Sequence, residues 1–339
     1  MVDKPDFPDE KIIVCIQVAY DIPIIQVEFL PLGGDLSTAV YRVITADGTT
    51  YFCKLKLEEF DESSVRLPKF LSEQGLVPII APLTTKTGRL WAVADDFILI
   101  LYPFVEGING YEVELTERQW KDFGVALRYL HTLSLPPTLK ATLRQETFSS
   151  EWREGCLAIL KRLNEENFVD PIMLDLVMFL QPKRKIMLHA IERASKLAQV
   201  LASRSLDLVL CHSDIHAGNL FIDVQGSLFI VDWDYPVLAP KERDLMFIGG
   251  GQGFMPYLAE QEERLFYQGY EPTELDRVAL TYYRYERCIT DITVESERIL
   301  SSALSRQERA QALEYLQLYF LPGCTIEMAY KSDTLHFCG

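Results

Sequence analysis

Three side chains pose the first chemical question: Asp214, Asn219 and Asp232. Asn219 follows Asp214 by five positions, and an apolar stretch broken by Gln225-Gly226 leads on to Asp232. Phosphoryl transfer needs a carboxylate beside the attacking hydroxyl. It also needs oxygen ligands for the magnesium ions that neutralise the phosphates. An Asp, an Asn five residues on, and an Asp beyond a hairpin supply all three. On this reading Asp214 is the catalytic base, and Asn219 and Asp232 are metal ligands. The loop is expected to set Asp214 and Asn219 side by side, with the hairpin returning Asp232 to them. His212 reads as a packed histidine that orders the loop, while His216 is open between a structural role and substrate contact.

A rival chemistry starts from the same residues. Asp214-Ile215-His216 also reads as the opening D-x-H of a dimetal phosphoesterase, which needs several more His and carboxylate ligands downstream. After His216 the only histidine is His336, so this reading is set aside. Nucleic acid is excluded as the main partner, because the net charge is −16 and no basic stripe appears. The seven cysteines are scattered without a C-x-x-C pair, which fits neither a disulfide framework nor a structural zinc site. No apolar signal core opens the chain, and the longest apolar stretch, Phe97 to Val105, is too short to span a bilayer. A reduced, cytoplasmic protein is expected, with no membrane contact and no obligate protein partner.

The elements that must position these residues fall into two textures. The first hundred residues read as an amphipathic helix on Ile12, Ile13, Ile16 and Ala19, then a strand at Ile25–Leu30, then a break at Gly33-Gly34. Ala39–Thr45 and Thr50–Leu57 follow as a hairpin through Asp47-Gly48. A helix over Asp61–Gln74 is expected to kink at Pro68 and stop at Gly75. Strands are expected around Ile79–Thr84 and Leu90–Tyr102. Beyond Pro103 the pattern is mostly helical, starting with a capping box at Thr116 and Gln119. Helices are expected near 150–163, 171–180, 183–203, 257–268, 273–300 and 306–319. The interruption is a hairpin, Leu220–Val224 with Leu228–Val231. The fold class is therefore α+β, with an N-terminal nucleotide-binding part over 1–103 and a mainly helical part over 104–339 that carries the catalytic loop and the acceptor site.

The spacing from Asp214 to Asn219 matches the protein-kinase catalytic loop. Cys211 to Asn219, then Asp232-Trp233-Asp234, then Ala239 to Gly251 together resemble the aminoglycoside phosphotransferase family, most closely its spectinomycin phosphotransferases. Shorter echoes, Gln119-Trp120-Lys121, Trp152-Arg153-Glu154 and Tyr282-Tyr283-Arg284 with Glu286-Arg287 and Asp291, occur in the family's order. The resemblance implies a bilobal protein-kinase-like fold, with a small antiparallel-sheet lobe and a larger helical lobe. It implies ATP and Mg²⁺, Asp214 as base, and Asn219 and Asp232 as metal ligands. Ile100 to Phe104, including Tyr102, becomes the hinge that holds adenine. Lys54 becomes the lysine on the phosphates, with Lys56 on the same strand face as the alternative. Glu62 is the expected carboxylate partner of that lysine, with Glu58, Glu59 and Glu73 open. Gly33, Gly34 and Ser37 stand where a phosphate-contacting turn would lie, although they do not spell G-x-G-x-x-G. Asp232-Trp233-Asp234 replaces D-F-G, and Ser213 replaces the arginine that reads a phosphorylated loop, so constitutive activity is expected. Arg243-Asp244 is expected to tie the loop to the helical part.

Acceptor recognition is expected from Asp234, His216, Arg284, Glu286 and Asp291. Arg284, Arg287 or Cys288, and Asp291 share a helix face, where carboxylates would hold the ammonium groups of a cationic, polyhydroxylated small molecule. The implied activity is phosphorylation of an aminocyclitol hydroxyl. A housekeeping kinase of the same fold, acting on an amino alcohol or sugar, shares every catalytic residue. A non-catalytic nucleotide-binding protein fits less well with the retention of Asp214, Asn219 and Asp232.

Overall fold

The computed structural model describes residues 4, 7–32, 38–57, 60–75, 78–249 and 259–334. The expected glycine turn, Gly33, Gly34 and Ser37, lies outside the described residues, as do Glu58 and Glu59. In chain order the elements are α1 (Asp9–Tyr20), β1 (Ile24–Leu30), β2 (Thr38–Thr45), β3 (Thr50–Leu57), α2 (Ser63–Gln74), β4 (Ala92–Ala94), β5 (Phe97–Pro103), β6 (Gly107–Asn109) and α3 (Glu117–Thr132). There follow α4 (Pro137–Lys140), β7 (Arg144–Gln145), α5 (Glu151–Glu165), α6 (Pro171–Leu180), α7 (Arg184–Ala202), β8 (Val209–Cys211), β9 (Leu220–Asp223), β10 (Leu228–Ile230) and β11 (Val237–Ala239). The chain ends with α8 (Glu242–Leu245), α9 (Ala259–Tyr270), α10 (Arg277–Leu300), α11 (Arg306–Leu318) and α12 (Thr325–Thr334).

Two compact units divide these elements. One holds Met1–Glu114, Ser134–Leu143 and Gly218–Pro236; the other holds Leu115–Leu133, Arg144–Ala217 and Val237–Gly339. The first unit is built on a five-stranded antiparallel sheet in the order β1-β2-β3-β5-β4. Side chains alternate along β3. Cys53 and Leu55 are fully buried in a core with Ile12 and Ile16 of α1 and with Tyr41, Leu99 and Leu101. That burial turns Lys54 and Lys56 to the opposite face. The same unit contains the hairpin β9–β10, which pairs with β6 as a three-stranded sheet. Its turn is made locally. The Asp223 carboxylate accepts the N–H groups of Gln225 (2.9 Å) and Ser227 (2.7 Å), and Gly226 takes the left-handed φ of +83° that the turn requires.

Helices dominate the second unit. The 24-residue α10 is its spine, packing against α5, α7, α11 and α12 and burying Tyr283, Tyr285, Ile289 and Ile292. Asp276 caps its start by accepting from the N–H groups of Val278 and Ala279. A small sheet, β7-β11-β8, delivers the chain to the loop after Cys211. No described helix is long and apolar enough to cross a membrane. The six described cysteines, Cys15, Cys53, Cys156, Cys211, Cys288 and Cys324, are all free thiols.

Several expected elements differ. Ile79–Thr84 forms no strand, only a bridge from Ile79 to Ile230, because Pro78 and Pro82 cannot donate to a ladder. Leu90–Tyr102 is two strands, β4 and β5, reversing at Asp95, whose φ is +53°. The helix α2 runs unbroken through Pro68. Helix α12 has no counterpart in the sequence reading.

Two glycines let α3 and α9 approach closely. A Cβ on Gly269 would stand 1.9 Å from the Lys121 carbonyl oxygen, and one on Gly124 would stand 2.2 Å from that of Phe266. Gly269→Ala must therefore separate the helices. It should lower stability in urea denaturation by about 1–3 kcal/mol, although alanine is the better helix former.

Candidate active site

The loop after β8 owes its shape to one buried carboxylate. Asp244, in α8, is fully buried. Its Oδ2 accepts from the His212 N–H at 2.9 Å, and its Oδ1 accepts from the Ser213 N–H at 2.7 Å. His131 Nε2 lies 3.1 Å from Oδ2, and His131 Nδ1 lies 2.7 Å from the Tyr270 hydroxyl. Burial opposes ionisation of Asp244, but His131, His212 and the Ser213 N–H outweigh it and hold the carboxyl below its ordinary range. Ser213 takes a left-handed φ of +75°, a conformation that costs a non-glycine residue about 1 kcal/mol or more. The paired N–H groups hold it there. Cys211 Sγ is directed at the carbonyls of Ala239 (3.7 Å) and Pro240 (3.6 Å). His131, Cys211 and Asp244 thus lie close enough to suggest a metal centre, but their polar atoms are engaged in this hydrogen-bond knot.

From that fixed loop Asp214 projects with its side chain 41% exposed. Its Oδ1 accepts from Arg287 Nη1 of α10, and His216 Nε2 lies 3.6 Å from its Oδ2. Its own N–H approaches His212 Nδ1 at 3.4 Å, which is the ordering role expected of His212. Burial raises the Asp214 carboxyl, but Arg287 and then His216 outweigh it, so the group lies well below the usual carboxylate range.

In the other unit, Lys54 and Lys56 converge on Asp234. Lys54 Nζ is 2.9 Å from each Asp234 oxygen and 3.0 Å from Asp232 Oδ1, and Lys56 Nζ is 2.8 Å from Asp234 Oδ2. Burial alone would push the Lys54 ammonium down, yet Asp232 and Asp234 carry it above its ordinary value. Asn219 and Asp232 sit at the same end of the β9–β10 hairpin. The Val231 N–H donates to the Asn219 carbonyl at 3.0 Å, one step beyond the Leu220–Ile230 pair. Asp232 adopts a φ of +62°, outside the strand conformation. Nearby in sequence, Tyr102 meets Phe52 edge-on at 6.3 Å, and Phe104 lies under the Arg42 guanidinium at 4.8 Å.

Five of the expected contact residues have other partners here. Glu62 does not hold Lys54; it pairs one helical turn along with Arg66 at 2.6 Å, and the lysine finds its counter-ion on the hairpin instead. Asp234, expected at the acceptor, is that counter-ion. Arg284, expected at the acceptor, donates to the carbonyls of Met246 (3.3 Å) and Ile248 (3.2 Å) and to Ser332, which anchors the chain after α8. Glu286 is buried against Arg153 Nη1 at 2.6 Å, while Arg153 Nη2 donates to the carbonyls of Phe148 and Ser149. Asp291 pairs with Arg287 Nε at 2.7 Å. The tie of Arg287 to Asp214 was not read from the sequence; the available signal was the Arg287/Asp291 spacing of one helical turn.

A family model described as the phosphotransferase enzyme family matches residues 28–280. Among solved structures, spectinomycin phosphotransferase bound to ADP and spectinomycin is 33% identical. The match covers 97% of this chain and 99% of that one, with a TM-score of 0.87. The AMP-bound complex of spectinomycin phosphotransferase is also 33% identical, over 95% of this chain and 98% of that one, at a TM-score of 0.83. An amicoumacin kinase bound to AMP-PNP and calcium shares the fold at 16% identity and a TM-score of 0.65, covering 96% and 94% of the two chains. No curated protein sequence matches the chain.

Asp244→Asn sets an amide NH₂ against N–H donors and removes the charge facing His131. It should cost on the order of 3–5 kcal/mol in chemical denaturation. Because the folded carboxyl is depressed, its stabilising contribution is full at neutral pH and is lost as pH falls below the ordinary aspartate range. The gap between the variant and the parent protein should therefore shrink in acid.

Proposed function

The chain belongs to the phosphotransferase enzyme family, and we propose that it transfers the γ-phosphoryl group of MgATP to a hydroxyl of an aminocyclitol such as spectinomycin. The observation that carries this reading is the 33% identity to spectinomycin phosphotransferase along nearly the whole of both chains, acceptor-binding part included. Asp214 and Asn219 have the spacing of the kinase catalytic loop, and Asp232 follows beyond the hairpin. A net charge of −16 favours a cationic acceptor through long-range attraction.

Each residue has a role that follows from its surroundings. Lys54, with Lys56 beside it, meets the phosphates, and Asp234 pairs with both ammonium groups and directs them. Asn219 and Asp232 offer an amide and a carboxylate oxygen, hard donors that suit Mg²⁺ shared with phosphate oxygens. The ion would neutralise phosphate charge there. Asp214 accepts a hydrogen bond from the acceptor hydroxyl and aligns it for in-line attack. The phosphoryl transition state is loose, so orientation matters more than strong basicity, and a carboxylate as weakly basic as Asp214 suffices. Tyr102 and Phe104 mark the hinge segment for adenine. Gly33, Gly34 and Ser37 complete the nucleotide site on the sequence reading.

Asp214→Asn should lower kcat about 10²–10⁴-fold with MgATP binding kept within a few-fold; near-normal turnover in this variant would defeat the assignment. Purified protein given MgATP should release ADP with spectinomycin. Release with ethanolamine or choline but none with spectinomycin would move the acceptor to a metabolite. Asp234→Asn should reduce kcat/KM for MgATP about 10–100-fold, the worth of a charged hydrogen bond, whereas Glu62→Gln should stay within about twofold. Steady-state kinetics of the two variants side by side decide which carboxylate serves Lys54.

A further inference from the structure

We propose that Arg287 is the positioning residue of the catalytic base, and that Asp291 positions Arg287 in turn. The inference rests on the reading of Asp214 as the base. Its ground is a set of contacts within one unit. Arg287 Nη1 donates to Asp214 Oδ1, Arg287 Nε pairs with Asp291 Oδ1 at 2.7 Å, and the guanidinium lies 5.2 Å from the centre of the Phe247 ring. Held close to Asp291 by the ion pair at Nε and covered on one face, the planar cation has few directions left for Nη1. Asp291 stands one turn along α10, so the grip is built into a rigid element.

Exposure falls along the series. The side chain of Asp214 is 41% exposed, that of Arg287 is 26% and that of Asp291 is 9%. The base is accessible and the groups that orient it are progressively sheltered. One carboxylate oxygen of Asp214 is tied by Arg287. The other lies toward His216 Nε2 at 3.6 Å. Among the charged groups facing Asp214 are Arg287 and Asp291 on α10 and His216 in its own loop. Arg287 also helps to keep the carboxyl ionised well into acid. Asp291 therefore acts on the acceptor through Arg287 and Asp214, not as a contact for an ammonium group.

Kinetics of full-length variants test this. Arg287→Met should lower kcat about 10²-fold and leave KM for MgATP within about twofold. The acid limb of its kcat profile should move to higher pH, because the carboxyl loses the charge that depressed it. Millimolar guanidinium should restore part of the rate. Asp291→Asn should lower kcat in the same direction by a smaller factor. Parental kcat in Arg287→Met with an unmoved acid limb would overturn the proposal, as would a loss that merely follows the folded fraction seen by circular dichroism. If Arg287→Met does not fold, Arg287→Lys decides: its ammonium cannot reach both carboxylates in one geometry, so kcat should fall about tenfold, and a parental kcat would overturn the proposal. Asp214→Asn assayed alongside separates the two readings. An active Asp214→Asn defeats the base and this inference together. An inactive one beside a fully active Arg287→Met defeats this inference alone.

Discussion

Two consecutive backbone N–H groups, those of His212 and Ser213, converge on one fully buried carboxylate, and His131 closes on the same group. A buried carboxylate without donors would either take up a proton or unfold its surroundings. Asp244 is tolerated because every direction from it meets a donor. Those donors belong to the loop that presents Asp214. The energy that pays for burying Asp244 therefore also defines the backbone from which Asp214 projects. It holds Ser213 in a left-handed conformation that an isolated chain would avoid. The loop carries its geometry as a property of the helical unit.

The sheet-bearing unit uses the same logic with the charges reversed. Two lysines side by side on β3 would repel each other and lose their charge on burial. Asp234 stands against both, and Asp232 against one. In the protein-kinase arrangement the counter-ion to the phosphate lysine comes from a helix. Here helix α2 spends Glu62 on Arg66, and the hairpin supplies the carboxylate two residues beyond Asp232. A third residue that is Asp, where D-F-G has glycine, gives the segment an anchor in place of a hinge.

Along α10 several acidic and basic residues are held in ion pairs. Glu286 balances Arg153, Asp291 balances Arg287, and Glu295 balances Arg298 at 3.1 Å. Burial pushes the Glu295 carboxyl up to about 7 despite its arginine. The helix buries fifteen of its 24 residues, tyrosines and isoleucines among them. Its charged side chains fasten neighbouring segments by ion pairs and hydrogen bonds: the 148–149 turn through Arg153, the chain after α8 through Arg284, and Asp214 through Arg287.

Most of the element order was legible in residue spacing, because amphipathic periods and turn residues act over a few positions. Thr116 with Gln119 forms the expected capping box, and Gln225-Gly226 the expected turn. Local pattern failed at Ile79–Thr84, where two prolines cancel an apolar strand signal, and at Asp95, where a turn hides inside an apolar run. The proposed catalytic triplet was readable for a similar reason: Asp214, Asn219 and Asp232 lie on one short stretch, so their spacing is itself the signal. The partners of those residues were not. Asp234 with Lys54 spans 180 positions, Arg287 with Asp214 spans 73, and Asp244 with His131 spans 113. Sequence spacing carries no distance information at that range. By itself, then, the sequence determined the chemistry available and the elements that bear it. Only tertiary packing decided which carboxylate faces which cation, because burial makes each unpaired charge costly and so forces a pairing that no local rule prescribes.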